Sequence, residues 1–124
     1  MQAAPELKQG IIADTHAHIG IGLSSPEHVF LKSVGPEGQI LGYILLRNAW
    51  NLSDLFIDPK AQGRGLGKAL FFAALSHVQA RDHRGYIRVN SSLNAEAFYR
   101  KLGFESFTID KPYPNYVVPL IHYL

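Results

Sequence analysis

No cysteine occurs among the 124 residues, and that absence removes a disulfide framework, a thiolate metal site and a cysteine nucleophile together. Catalysis, if there is any, must use oxygen or nitrogen groups. No apolar run reaches the roughly 18 residues of a membrane span, and Met1-Gln2-Ala3-Ala4-Pro5-Glu6 lacks the basic start and apolar centre of a signal peptide. A soluble, cytoplasmic protein without a membrane partner is the expectation. Charge is sparse as well, at 18% of residues with a net +2, so the overall balance gives no reason to expect nucleic acid as a partner. What is plentiful is apolar material, 47% of the chain with no break in composition. That suits one domain over residues 1–124 with one core.

The chain is organised around Gln62-Gly63-Arg64-Gly65-Leu66-Gly67-Lys68, which joins the apolar run Leu55-Phe56-Ile57 to an apolar-periodic stretch ending near Ala80. Glycines alternating with larger residues leave the backbone bare, so successive N–H groups can converge on an anion at a helix N-terminus. Spacing decides between kinds of phosphate cradle. A Walker A loop needs glycine where Gln62 stands and serine or threonine where Ala69 stands. The dinucleotide fingerprint needs its third glycine where Lys68 stands. Both fail. The pattern that fits is Gln/Arg-x-x-Gly-x-Gly; a glycine turn that only caps a helix is the plainer reading.

The sparse charge is unevenly spread. Between Lys60 and Lys101 lie eight basic and two acidic residues, and the remainder of the chain carries four basic and eight acidic ones. A segment that receives a multiply phosphorylated ligand would look like this, although a solvated face is the better reading for Arg81, Arg84 and Arg88 taken singly.

Around the loop the elements read as follows. Ile11-Ile12-Ala13 suits a short strand. Strand-like runs at Val29 to Val34 and Ile40 to Leu46 flank Gly35-Pro36-Glu37-Gly38, a hairpin signal. A third strand, Leu52 to Ile57, ends at Asp58-Pro59. Gly67, Leu70, Phe71, Ala74, Leu75 and Val78 then fall on one face of a helix. Phe72 lies off that face and needs a partner, either the N-terminal segment or a neighbouring chain in a homodimer. Tyr86 to Asn90 is a strand reached by a parallel crossover. Asn94 suits the N-cap of a second helix and Gly103 its C′ position, with Glu96 placed to pair with Arg100. Phe104 to Ile109 and Tyr116 to Tyr123 close the sheet. Asp14-Thr15-His16-Ala17-His18 resembles the His-x-His metal motif of hydrolases, but that chemistry uses a barrel of about 250 residues, so surface or acceptor-site histidines are expected and no metal.

The glycine pattern, followed about thirty residues later by Asn90-Ser91-Ser92-Leu93-Asn94-Ala95-Glu96-Ala97-Phe98-Tyr99-Arg100-Lys101-Leu102-Gly103-Phe104, resembles the two signatures of the GNAT superfamily of acyl-CoA-dependent N-acetyltransferases. The resemblance covers roughly Val29 to Leu124. It implies an α+β (mixed α/β) fold: a mostly antiparallel sheet with one splayed parallel pair and flanking helices, here with a shortened N-terminal helical region. It implies acetyl-CoA as co-substrate, with pantetheine beside Leu55, Phe56 and Ile57 and pyrophosphate on the loop from Gln62 through Gly63, Arg64, Gly65, Leu66 and Gly67 to Lys68. Asn90 and Asn94 would reach the cofactor. Tyr99 corresponds to the general acid that protonates the departing thiolate, although its spacing alone suits a core aromatic.

The base is a departure, since relatives often place glutamate where this chain has Asn51. Asp54 is the nearest acid, with His28, His122 or a water relay as alternatives. Direct attack by a primary amine of a small molecule or protein is the expected mechanism. The competing function is a non-catalytic acyl-CoA-binding regulatory module. Acceptor choice falls to Met1–Glu27 and Lys111–Tyr116, where the sequence says least.

Overall fold

The computed structural model describes residues 11–13, 26–108 and 114–124. Its strands are β1 (Ile11–Ala13), β2 (Val29–Val34), β3 (Ile40–Arg47), β4 (Asn51–Ile57), β5 (Tyr86–Ser92), β6 (Glu105–Ser106) and β7 (Val117–Tyr123), and its α-helices are α1 (Leu66–Gln79) and α2 (Glu96–Lys101). They form one sheet in the order β1-β2-β3-β4-β5-β7-β6. Every neighbouring pair is antiparallel except β4 and β5. The expected fold class, sheet and splayed pair are all present.

α1 forms where the apolar period predicts. Leu66, Gly67, Leu70, Phe71, Ala74, Leu75 and Val78 are its buried residues, and they meet Val29, Leu31, Ile44, Leu46, Leu52, Ile87, Val89 and Leu120 on one face of the sheet. Strand alternation explains why these and not their neighbours point inward. Arg81 donates to the carbonyls of Pro26 and Glu27 at 3.2 and 3.4 Å, tying the end of α1 to the entry of β2.

The second helix is set differently from the sequence expectation. Asn94 is not its cap: Ser92 Oγ accepts the Ala95 N–H at 3.2 Å, while Ala95 is the N-cap and contributes no side-chain bond. The polar residue that can turn back on its own strand end takes the role. At the other end Gly103 does sit at C′ with φ 108°. Its N–H reaches the Arg100 carbonyl and that of Phe104 the Tyr99 carbonyl, at 3.0 and 3.1 Å, which is the double-bonded termination that needs a left-handed residue. Glu96 and Arg100 pair at 2.7 Å as expected.

Two connections, the strand end at Asp58-Pro59 and the bend at Asn48 to Asn51, carry geometry beyond what the sequence indicates. Asp58 and Pro59 do more than end β4: they start a 3₁₀ turn, Pro59–Ala61, whose Lys60 N–H bonds to Asp58 Oδ1 at 2.9 Å. The β3–β4 connection is a tight turn with both Asn48 and Ala49 left-handed, φ 54° and 63°, closed by Trp50 N–H to Arg47 O at 3.2 Å. At the C-terminal side β6 is shorter than the expected Phe104–Ile109 strand. Phe104 belongs to the end of α2, and Ile109 lies outside the described residues.

Candidate functional site

β4 pairs with β3 through six positions, from Arg47↔Asn51 to Gly42↔Ile57, but with β5 through only two, Asn51↔Arg88 and Leu52↔Val89. Beyond Leu52 the two parallel strands part. The cause is local. Leu46 faces Leu52 and Leu45 faces Asp54, so Ser53 is an extra residue in β4, and such a bulge bends and twists the strand that carries it. β5 meanwhile stays paired with β7 out to Ser92↔Val117. The result is an opening lipped by 53–57 on one side and 90–92 on the other, where the main chain of β4 has one unpaired edge. Back-to-back exposed Ser53 and Asp54, which break the in-out alternation, are the sequence trace of the bulge.

Each lip runs into a helix. β4 leads through the 3₁₀ turn to the glycine loop and α1, while β5 leads directly to α2. The two helices touch where a Cβ on Gly67 would come within 3.1 Å of Phe98 Cζ, so Gly67 serves close helix packing. Gly63 and Gly65 differ from it. Both are left-handed, φ 83° and 76°, with open space where a Cβ would stand. The helix begins with Ala69 N–H to Gly65 O at 3.0 Å, and Gly65 offers no side-chain cap. The N–H groups from Gly63 through Lys68 consequently meet no acceptor among the described residues. A row of bare donors at the positive end of a 14-residue helix suits an anion in both geometry and field.

Gln62 stands apart from that row. Its own N–H is spent on Pro59 O at 3.4 Å, and its Nε2 donates to Ile57 O at 3.3 Å, which fixes the loop to the end of β4. Arg64 and Lys68 are exposed beside the loop. The wider basic segment is spent elsewhere, with Arg81 on Pro26 and Glu27, Arg84 over the Trp50 ring at 4.4 Å, Arg88 over Phe107 at 4.2 Å, and Arg100 on Glu96. Four of its eight basic residues are therefore engaged away from the loop.

The remaining candidates divide by face of the sheet. Leu55 and Ile57 turn toward α1 and pack on its core. Phe56 and Asp54 turn the opposite way, opposite Tyr43 and Leu45, and both are exposed. The Phe56 side chain thus lies across the sheet from the glycine loop, leaving main chain as what it can offer a ligand on the loop's side. Asn90 is exposed on the β5 lip and Asn94, freed from capping, is exposed just beyond it. Tyr99 lies in the core, 7% exposed, with ring centroids 5.2 Å from Phe98 and 5.4 Å from Phe104. Burial raises its phenol pKa above the ordinary value.

Two proposed bases fall away. His28 Nδ1 accepts the Asn48 N–H at 2.8 Å in the β3–β4 turn, where β4 starts rather than where it parts from β5. His122 pairs with Ile87 near the start of β5 and its ring packs against those of Phe71 and Phe104, at 5.4 and 5.3 Å. Packing and turn geometry account for both. Asp14, His16 and His18 lie outside the described residues.

The family model described as an acetyltransferase (GNAT) domain matches residues 23–117. The chain belongs to that family. It is 38% identical over 88 residues to the mycothiol acetyltransferase of Salinispora tropica, a match covering 60% of this chain and 28% of that protein. Against the mycothiol acetyltransferase of Mycolicibacterium smegmatis the identity is 33% over 103 residues, covering 74% and 34%. The chain thus spans about a third of these relatives or less. Among solved structures, the putative acyl-CoA N-acyltransferase of Klebsiella pneumoniae superposes with a TM-score of 0.66 at 23% identity, covering 79% of this chain and 73% of that one. A putative streptothricin acetyltransferase of Bacillus anthracis, solved with acetyl coenzyme A, gives 0.64 at 22%, covering 83% and 66%. These likenesses show the GNAT fold. Among the described residues no helix is long and apolar enough to cross a membrane.

Proposed function

We propose that this chain is the acetyl-transfer unit of an acetyl-CoA-dependent N-acetyltransferase acting on a primary amine. The observation that carries the reading is the row of unsatisfied N–H groups from Gly63 to Lys68 set against the unpaired edge of β4. The pyrophosphate takes the row, and the pantetheine amides take the main-chain groups of Leu55 to Ile57 that β5 no longer meets, with Asn90 and Asn94 at the far lip. The curated relatives bear the name acetyltransferase, which agrees with this reading.

In this reading the chemistry divides between Asp54 and Tyr99. Asp54 takes the proton that converts the acceptor ammonium to a nucleophilic amine. The nitrogen attacks the thioester carbon, the carbon–sulfur bond breaks, and the departing sulfur takes the Tyr99 proton. The proton shed by the new amide nitrogen restores Tyr99 through solvent. Burial suits Tyr99 to this role, because its raised pKa keeps it protonated at neutral and mildly alkaline pH. A thiol is a stronger acid than phenol, so the assistance is modest. A cytoplasmic location follows from the donor, and Phe72, 39% exposed on α1, is the contact that two copies would share.

Release of CoA from acetyl-CoA on adding an amine tests the reading. Tyr99→Phe should bind acetyl-CoA unchanged and lose about 10- to 100-fold in kcat, with the wild-type rate falling at alkaline pH, beyond the ordinary phenol range, as the buried Tyr99 ionises, and the variant lacking that limb. A Tyr99→Phe enzyme as fast as wild type removes the acid from the scheme. Acetyl-CoA binding with no turnover of any amine would favour the regulatory module instead.

A further inference from the structure

Only one face of the sheet is covered by described helices. On the other, Phe30, Tyr43 and Phe56 stand on three adjacent strands, and their rings step across the sheet with centroids 5.7 and 5.6 Å apart. The row is graded in exposure. Phe30 and Leu45 at its root are 4% exposed, whereas Phe56 at the lip of the opening is 44% exposed. Asp54 shares this face two positions along β4, because Leu45 lies opposite Asp54 and Tyr43 opposite Phe56. This is also the part of β4 that β5 has left. Accessible aromatic surface and an exposed carboxylate therefore adjoin each other at the mouth of the opening, on the side away from the glycine loop.

We infer that the acceptor is a small organic amine with an aryl or branched alkyl body next to its amino group. The body covers Tyr43 and Phe56, and the ammonium meets Asp54 before it gives up its proton. Ring faces attract cations as well as apolar groups, and the carboxylate fixes which end of the acceptor points into the opening. Size is limited too, since the buried Phe30 offers no ring face and the accessible aromatic surface is that of Tyr43 and Phe56. An amine covered in hydroxyls would place polar groups on that surface without partners, which is costly. The inference rests on the acyl-transfer reading and narrows its substrate class.

The test measures kcat/KM at saturating acetyl-CoA for phenethylamine and isopentylamine against ethanolamine and glucosamine. Wild type should favour the first two by about tenfold or more. Tyr43→Ala and Phe56→Ala should bring the four within about twofold while acetyl-CoA affinity by titration calorimetry is retained, and Phe56→Leu should keep the preference for isopentylamine. Equal use of ethanolamine, glucosamine and phenethylamine by wild type overturns the inference and leaves acyl transfer standing. So does a variant that retains acetyl-CoA affinity and loses all four amines equally. Acetyl-CoA binding without CoA release for any amine removes the acyl-transfer reading and this one with it.

Discussion

β4 has two unlike edges. Toward β3 it is bonded along its whole length, and toward β5 it is released after Leu52. The closed side belongs to a conventional core, in which Ile44, Leu46 and Leu52 meet Leu70, Phe71 and Ala74 with no more than 4% exposure. Among the described residues, the released side holds bare main chain, the glycine loop and the exposed Asp54. One strand thus anchors the fold with one edge and offers the other. An opening of this kind needs a rigid neighbour, because a strand free on both sides would not hold its shape against solvent.

The largest effect should come from attacking the closed side. Phe71 is fully buried and its ring contacts those of Phe104 and His122. Phe71→Ala should therefore cost about 3–5 kcal/mol in chemical denaturation, enough to unfold much of a marginal domain. A loss under about 1 kcal/mol would mean that the core lies elsewhere. Next comes the bulge itself. Deleting Ser53 restores one-to-one pairing between β3 and β4 and keeps each side chain on its face, so the strand straightens toward β5. The protein should stay folded by circular dichroism and lose at least about 100-fold in acetyl transfer, the scale of a misplaced reacting group. Unchanged activity would show that the parting of the strands does not depend on the bulge.

How much of this was legible in the sequence follows the same division. The α1 face, the hairpin strands and the glycine loop were readable because periodicity and glycine spacing act over a few residues of chain. Gly103 was readable for the same reason. The splayed pair, by contrast, entered through family resemblance. Its cause, an extra residue at Ser53, appears in the sequence only as two adjacent polar residues, and pairing register is a property of two strands together. Asn94 was misread because Ser92 had an equal claim to the cap and only the path of the chain out of β5 decides between them. His28 and His122 were plausible bases by residue type alone, and their distance from the opening is tertiary information. For the basic segment, composition counts charges but cannot locate them, and the structure has Arg81, Arg84 and Arg100 occupied away from the loop.

The smallest expected effect tests what holds α2, and with it Tyr99, in place. The Glu96–Arg100 pair is short, but its side chains are 33% and 40% exposed, so water screens it and an exposed pair at this spacing contributes about 0.3–0.5 kcal/mol. Arg100 also donates to Ser106 Oγ at 2.9 Å and keeps that bond when the carboxylate is gone. The position of α2 rests instead on the contact of Phe98 with Gly67 and on the termination at Gly103. Glu96→Gln should consequently lower stability by no more than about 0.5 kcal/mol, lose even that difference in high salt, and leave kcat/KM unaltered. A loss above about 1 kcal/mol, or a fall in kcat, would mean that a surface ion pair rather than packing against α1 sets the place of Tyr99.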